Sequence, residues 1–292
     1  VLAEQDRLLT LAQTSAQSGN TQAQFTALEQ AETLGSAKAA LELGKIYTQG
    51  QSAPMDREKG FKHYNQAATL GSADGKITAS LFNMYGIGTA KNQEAGIDLM
   101  KDAAKDDKRA KREMGLFYGN LRLPFLNNDS KGLKYLAEAA EEGDADAAYY
   151  LSVLATRVDK PALAKTSLKE ASNMGQPKAQ LQLGREAMAQ GNYMNARDLF
   201  LKSAKSNDSE AMFELGKGLS EGKFPKSSSI TGVTSTMEAY AWLLGSSSQK
   251  HLQAKELLAV VETKLATDDA SKKVLGSLIA DLQGQITPWN SN

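Results

Sequence analysis

Ala37-Lys-Ala-Ala-Leu-Glu-Leu-Gly-Lys-Ile-Tyr-Thr-Gln-Gly50 is the stretch on which the fold turns. Its apolar residues recur at steps of three and four, the spacing of one helix face. Gly50 stands where a left-handed residue ends a helix. The same frame returns as Ala73…Ala79-Ser80…Gly86, Ala110…Met114-Gly115…Tyr118, Ala145-Asp-Ala147…Leu151-Ser152, Ala179…Leu183-Gly184 and Ala211…Leu215-Gly216…Gly222. A degenerate copy is Ala254…Leu258-Ala259. The copies begin at 37, 73, 108, 145, 177, 209 and 252, giving steps of 36, 35, 37, 32, 32 and 43 residues. A period in this range is the signature of stacked repeats.

Each copy has a second half, an apolar residue followed by Ala-Ala and a closing Gly. The instances are Tyr64…Ala67-Ala68…Gly71, Met100…Ala103-Ala104, Leu136…Ala139-Ala140…Gly143, Leu168…Ala171-Ser172…Gly175 and Phe200…Ser203-Ala204. Leu28…Ala31…Gly35 belongs to the same set. The unit is therefore helix A, a short loop, and helix B. Proline supports this: Pro54, Pro124 and Pro225 fall in A–B loops, Pro161 and Pro177 at helix first turns, and Pro288 in the tail. None interrupts a helix, where each would cost about 3 kcal/mol. Small residues inside the helices allow close approach, so a bulkier residue at Gly44 or Gly184 should overpack. Leu43 and Leu183 are expected to be buried.

These motifs resemble the Sel1-like repeat family, α/α relatives of the tetratricopeptide repeats, over roughly residues 20–260. Copies at 73, 145 and 252 lose the Leu-Gly pair. Those at 145 and 177 have shorter A–B loops and look closer to plain tetratricopeptide units. The resemblance implies an all-α chain, a right-handed α/α superhelical solenoid. The expected organisation is an N-terminal helix-pair repeat over 1–36, six repeats over 37–250, a degenerate last repeat with a capping helix over 251–285, and a tail over 286–292. The N-terminal pair hinges at Gly19-Asn20. Asp268 and Asp269 open the last helix, which runs to about Gln283 and covers the last unit's apolar face. The longest insertion, 223–236, is expected to be mobile.

Composition narrows the chemistry. No cysteine occurs among 292 residues, which removes disulfides, thiolate zinc sites and cysteine nucleophiles. With only His63 and His251, a multi-histidine metal site is disfavoured. The balance of 34 basic and 34 acidic residues argues against a nucleic-acid binder. No apolar run reaches the roughly 18–20 residues of a membrane span. The chain opens on Val1-Leu2-Ala3 rather than Met, the pattern of a processed chain, which leaves room for a removed signal or lipid anchor.

No catalytic constellation emerges. His63 and His251 read as solvent-facing residues rather than general bases, since neither has a nucleophile at helical spacing. Gly86-Ile-Gly88 follows a helix, so it reads as an A–B turn rather than a phosphate loop. Asp106-Asp107 and Asp144-Ala-Asp146 precede helices, where carboxylates meet free N–H groups. Ser246-Ser-Ser248 lacks a base, and Ser167-Leu-Lys169 has the wrong spacing for Ser-x-x-Lys. We expect no enzyme, no cofactor and no metal.

By analogy with tetratricopeptide repeats, helix A lines a concave face through three series of residues. One runs Lys38, Asp74, Arg109, Asp146, Lys178 and Glu210; another Leu41, Ile77, Arg112, Tyr149, Leu181 and Phe213; the third Lys45, Leu81, Leu116, Val153, Arg185 and Lys217. The groove set carries eight basic residues (those above and Arg157) against four acidic ones (with Glu221), which suits an acidic partner. No Asn occurs in the third series, which disfavours a chaperone-type carboxylate clamp. The candidate partner-binding residues are Lys45, Arg112, Tyr149, Arg185, Phe213 and Lys217, mixing aromatic and cationic contacts. An alternative is that the second series packs between repeats.

The expected function is a non-enzymatic protein-interaction scaffold of a bacterial cell-envelope assembly, in the periplasm or at the inner face of the outer membrane, with the cytoplasm as alternative. The stretch Ala239-Tyr-Ala241-Trp242 with its terminal helix resembles the outer-membrane lipoprotein scaffold of alginate export. An exopolysaccharide-export scaffold, with an anionic polysaccharide as ligand, is therefore one alternative. Binding or hydrolysis of cell-wall fragments is another.

Overall fold

The structure, a computed structural model, describes residues 1–290. The described residues form sixteen α-helices and no strand. The chain divides into two compact units, Val1–Ala139 and Ala140–Asn292. The first holds α1 (Leu2–Gln17), α2 (Thr21–Thr33), α3 (Ala37–Gln49), α4 (Arg57–Thr69), α5 (Ala73–Tyr85), α6 (Gln93–Ala103), α7 (Lys108–Tyr118) and α8 (Asp129–Glu141). The second holds α9 (Ala145–Arg157), α10 (Pro161–Asn173), α11 (Pro177–Ala189), α12 (Tyr193–Lys205), α13 (Ser209–Ser220), α14 (Ser235–Ser248), α15 (Leu252–Glu262) and α16 (Asp269–Gln285). Within each unit successive helices pack as A–B pairs, and each B helix packs on the next A helix.

Helix starts are set by short polar side chains. Ser36, Asp56, Ser72, Asn92, Asp144, Asn192, Asp208 and Asp268 each accept the backbone N–H three residues on. Each such cap is worth about 1 kcal/mol. The B–A turns are equally uniform: Gly35, Gly71, Gly143 and Gly175 precede the caps at φ between 82° and 90°. Asn207 takes that left-handed place in the turn before α13, at φ 69°. Asn tolerates this region better than most side chains.

Two small-residue contacts recur in every unit. The Ala39 position reads Ala39, Gly75, Ala110, Ala147, Ala179, Ala211 and Ala254, all buried. In α5 it faces the Ala67-Ala68 pair of α4: a Cβ on Gly75 would lie 2.5 Å from the Ala68 nitrogen and 2.8 Å from the Ala67 Cβ. The Gly44 position faces the large apolar residue of its own B helix. A Cβ there would lie 2.7 Å from Tyr64 in copy one, 2.6 Å from Leu136 at Gly115, 2.6 Å from Phe200 at Gly184 and 2.5 Å from Leu243 at Gly216. Ser80 takes the same place in α5, and its hydroxyl donates to the Gly96 carbonyl at 2.6 Å.

Two expectations change. Leu43 is fully buried, but Leu183 is only half-buried; in that copy Gln180 and Leu181 turn into the core instead. The insertion between α13 and α14 is tied down rather than loose. Buried Glu238 accepts the Ser227 N–H at 2.8 Å, the Ser228 N–H at 3.3 Å and the Ser227 hydroxyl. Phe224 is buried from the same loop. Trp242 is 1% exposed and packs in the core with Leu278 and Leu282 of α16, so the Ala239–Trp242 ending is packing surface. The last two residues of the 286–292 tail lie outside the described residues.

Replacing Gly by Ala inside a helix ordinarily stabilises by about 1 kcal/mol. At Gly44 and Gly184 the added Cβ meets an aromatic ring at 2.6–2.7 Å. Gly44→Ala and Gly184→Ala should therefore lower stability by about 1–3 kcal/mol, read by urea or thermal unfolding. A gain in either variant would show that the helices do not meet this closely.

Candidate functional site

In the second unit, the helix-A residues form one connected polar and aromatic set. Arg185 of α11 projects to α13, where Nε donates to Glu214 Oε1 at 2.9 Å and Nη2 to Glu210 Oε2 at 2.7 Å. The other Glu210 oxygen, Oε1, lies 3.0 Å from His251 Nε2. His251 caps α15: its Nδ1 accepts the Ala254 N–H at 3.1 Å. The hydrogen bonds therefore assign the Nε2–H tautomer, with Nε2 donating to Glu210. The imidazole stacks on Phe213 with centroids 4.6 Å apart, and Lys217 Nζ lies 5.9 Å from that ring's centroid.

Expectation and geometry part at Phe213. Its side chain is buried under His251 rather than presented to a partner, because α15 closes over α13. Leu181 is buried too, so in these two copies the second series packs between repeats. Tyr149 stays half-buried, edge-on to Tyr150 at 5.5 Å, and burial pushes its hydroxyl pKa up. Arg185 and Lys217 remain exposed.

In the first unit, Lys45 is exposed and donates to Glu42 at 2.8 Å. Arg112 is withdrawn, its side chain 12% exposed and 4.0 Å from Glu113. Glu113 is itself buried and also bound by Arg122, so Arg112 serves a buried carboxylate rather than an open surface. Arg109 bridges Asp107 at 2.7 Å and Asp74 at 2.6 Å. The expected basic excess is thus largely paired by Glu42, Glu113 and Glu214, residues outside the three groove series. Each directly follows a residue of the second series (Leu41, Arg112, Phe213), and only side-chain direction brings it in.

Both histidines depart from the solvent-facing reading. His63 of α4 has its Nδ1 2.9 Å from Glu32 Oε1 and stacks on Tyr47 with an interplanar angle of 2°. It ties three helices together, with no nucleophile among the groups it contacts. The sequence signal was available: Glu32, Tyr47 and His63 each lie on the buried side of their frames. Two Ser-x-x-Lys spacings escaped the sequence reading, Ser220-Glu-Gly-Lys223 and Ser247-Ser-Gln-Lys250. In the first, the Ser220 hydroxyl donates to the Lys217 carbonyl and Lys223 pairs with Glu221; the second lies at the end of α14, with Lys250 exposed at φ 67°. Among the described residues no three His, Asp or Glu side chains converge as a metal site would require, and no helix is long and apolar enough to cross a membrane.

The Sel1 repeat matches residues 37–72, 79–107, 109–144 and 177–208. No curated protein matches the chain. Among solved structures, a Sel1 repeat protein from Oxalobacter formigenes superposes with a TM-score of 0.65 at 21% identity, over 82% of this chain and 98% of that one. A protective antigen present in uropathogenic Escherichia coli strains, displaying an SLR fold, superposes with a TM-score of 0.57 at 19% identity, over 90% of this chain. The chain spans 64% of that protein's length. Both likenesses concern the fold. Sel1 repeats generally mediate protein–protein interaction.

The His251 cap has a local readout. His251→Ala should speed amide hydrogen exchange at Ala254 by about fivefold, matching the roughly 1 kcal/mol of a lost cap. His251→Asn should restore the slow rate, since Asn is a strong cap. Equal exchange in all three would remove the cap assignment. The four matched segments fall on the helix pairs α3–α4, α5–α6, α7–α8 and α11–α12, and these pairs match the Sel1 repeat.

Proposed function

We propose that this chain is a non-catalytic scaffold that binds a protein partner on the helix-A side of its second unit, through Tyr149, Arg185 and Lys217. The observation that carries the reading is Arg185: an exposed guanidinium held in one orientation by two carboxylates on the neighbouring A helix. A cation fixed in this way loses little freedom when a partner arrives. Tyr149 supplies a half-buried aromatic body with a polar tip, the side-chain type favoured as an interface anchor. Because Glu210 and Glu214 stand beside Arg185, the surface suits a partner of mixed charge better than a purely acidic one. The proposal places the scaffold in a bacterial cell envelope, supported by the resemblance of the Ala239–Trp242 ending and α16 to the alginate-export scaffold; cell fractionation tests this, and recovery wholly in the cytosol overturns it.

Photo-crosslinking residues placed at 185 and 217 should capture the same polypeptide in cells. Placed at 169 and 202, on helices α10 and α12, they should capture it at least tenfold less. Tyr149→Ala should weaken binding of the captured partner by about 2 kcal/mol, roughly thirtyfold in affinity. Crosslinks confined to 169 and 202 would move the interface to the B helices and overturn the reading.

A further inference from the structure

Beyond α16 the described residues, through Asn290, stay on the second unit. Ile286 packs into the core cluster that holds Trp242 and Leu282. The Thr287 N–H then donates to the Lys205 carbonyl at 2.7 Å, and the Trp289 N–H to the Ser206 carbonyl at 3.2 Å. Lys205 and Ser206 are the last helical residue and the C-cap of α12, where carbonyls have no partner within the helix. The Trp289 indole Nε1–H donates to Asp146 Oδ1 at 3.2 Å, the oxygen that also accepts Gln176 Nε2 at 3.3 Å. The indole ring lies over Gly175, close enough that a Cβ there would meet Cζ3 at 3.5 Å.

The segment therefore binds as an extended ligand would. Donors alternate, at Thr287 and Trp289, and the intervening Pro288 has no N–H to satisfy. A residue before proline is biased to the extended region, so Thr287-Pro288 holds the shape before docking. The receiving strip is made of B–A turns: the α12 carbonyls, Gly175, and Asp146 in the first turn of α9. Trp289 is still 37% exposed. An anchor left this open can be replaced by another.

We propose that this strip is a docking site for an extended partner segment carrying a tryptophan two residues after a free backbone N–H, and that residues Ile286–Asn290 occupy it in cis as a displaceable strap. A partner would supply the same two elements, an alternating backbone donor and an indole N–H aimed at Asp146. Asp146 stands one turn before Tyr149 on α9, so the strip borders the Tyr149–Arg185–Lys217 surface but uses other contacts. Its test uses a peptide copied from this chain, so its failure leaves the crosslinking result standing.

The probe is a fluorescein-labelled peptide of residues 285–290, Gln-Ile-Thr-Pro-Trp-Asn, followed by anisotropy against the full chain. A tethered segment competes at an effective concentration in the millimolar range. The peptide should therefore bind the Trp289→Ala chain at least tenfold more tightly than the unaltered chain. Adding Asp146→Ala to that chain, or replacing Trp by Ala in the peptide, should each cost tenfold or more. Equal affinity for the two chains, or no binding to the Trp289→Ala chain at about 1 mM peptide, overturns the proposal. A second measurement reads the strap in the intact chain. Asp146→Asn should move one of the two tryptophan indole N–H resonances, the one that disappears in Trp289→Ala; an unmoved resonance also overturns it. Trp289→Ala should leave the circular dichroism spectrum unchanged, since the segment lies outside the helices.

Discussion

The close meeting of helix A and helix B at the Gly44 position is the contact on which the remaining geometry depends. Six copies place a buried Gly or Ser there, and the facing side chain is as large as Tyr64 or Phe200. Without a Cβ, the ring of helix B lies against the helix-A backbone itself, and dispersion contacts replace a gap. A second small residue, at the Ala39 position, seats helix A on the previous B helix. With both distances set, each unit offers the next the same surface, and stability builds by nearest-neighbour contacts. The capping side chains and left-handed residues of the B–A turns then follow, because helices meeting this closely leave turns only three or four residues long.

That packing also governs what the helix-A face can present. Side chains directed between repeats are consumed by the stack, as Phe213 and Leu181 are. Those directed one turn further on remain exposed but meet carboxylates from the adjacent A helix, as Arg185 meets Glu210 and Glu214. The result is a surface of oriented, paired charges with one aromatic body, Tyr149. Such a surface discriminates partners by matching charge positions more than by net attraction. The segment after α16 adds a different mode, main-chain hydrogen bonds at helix ends plus one indole. The second unit thus offers two recognition chemistries that meet on α9, where Asp146 and Tyr149 lie one turn apart.

The histidines show how a solenoid uses rare residues. His63 joins α2, α3 and α4 through Glu32 and Tyr47, and His251 joins α13 and α15 through Glu210, Phe213 and its own cap. In both, an imidazole supplies what an aliphatic side chain lacks: a flat face for stacking and a polar edge for a carboxylate. Both lie at junctions between repeats, where apolar area is smallest and directional contacts add most.

Sequence alone determined the helical class, the repeat length, the A–B alternation and nearly every helix boundary. These follow from local rules: periodic apolar residues, Gly or Asn in the left-handed region, and Ser, Asp or Asn one residue later. The second halves of the copies even located the B-helix residues that face each Gly. What only the tertiary structure decided was the direction of side chains between repeats. Whether Phe213 meets solvent or His251, and whether Arg185 stands alone or between Glu210 and Glu214, depends on the offset of one A helix against the next. That offset is a sum of many packing contacts and leaves no short motif. The placement of Trp289 against Asp146, separated by 143 positions, lay beyond sequence for the same reason. Its partners are turn carbonyls and a side-chain oxygen whose positions exist only once three repeats have stacked.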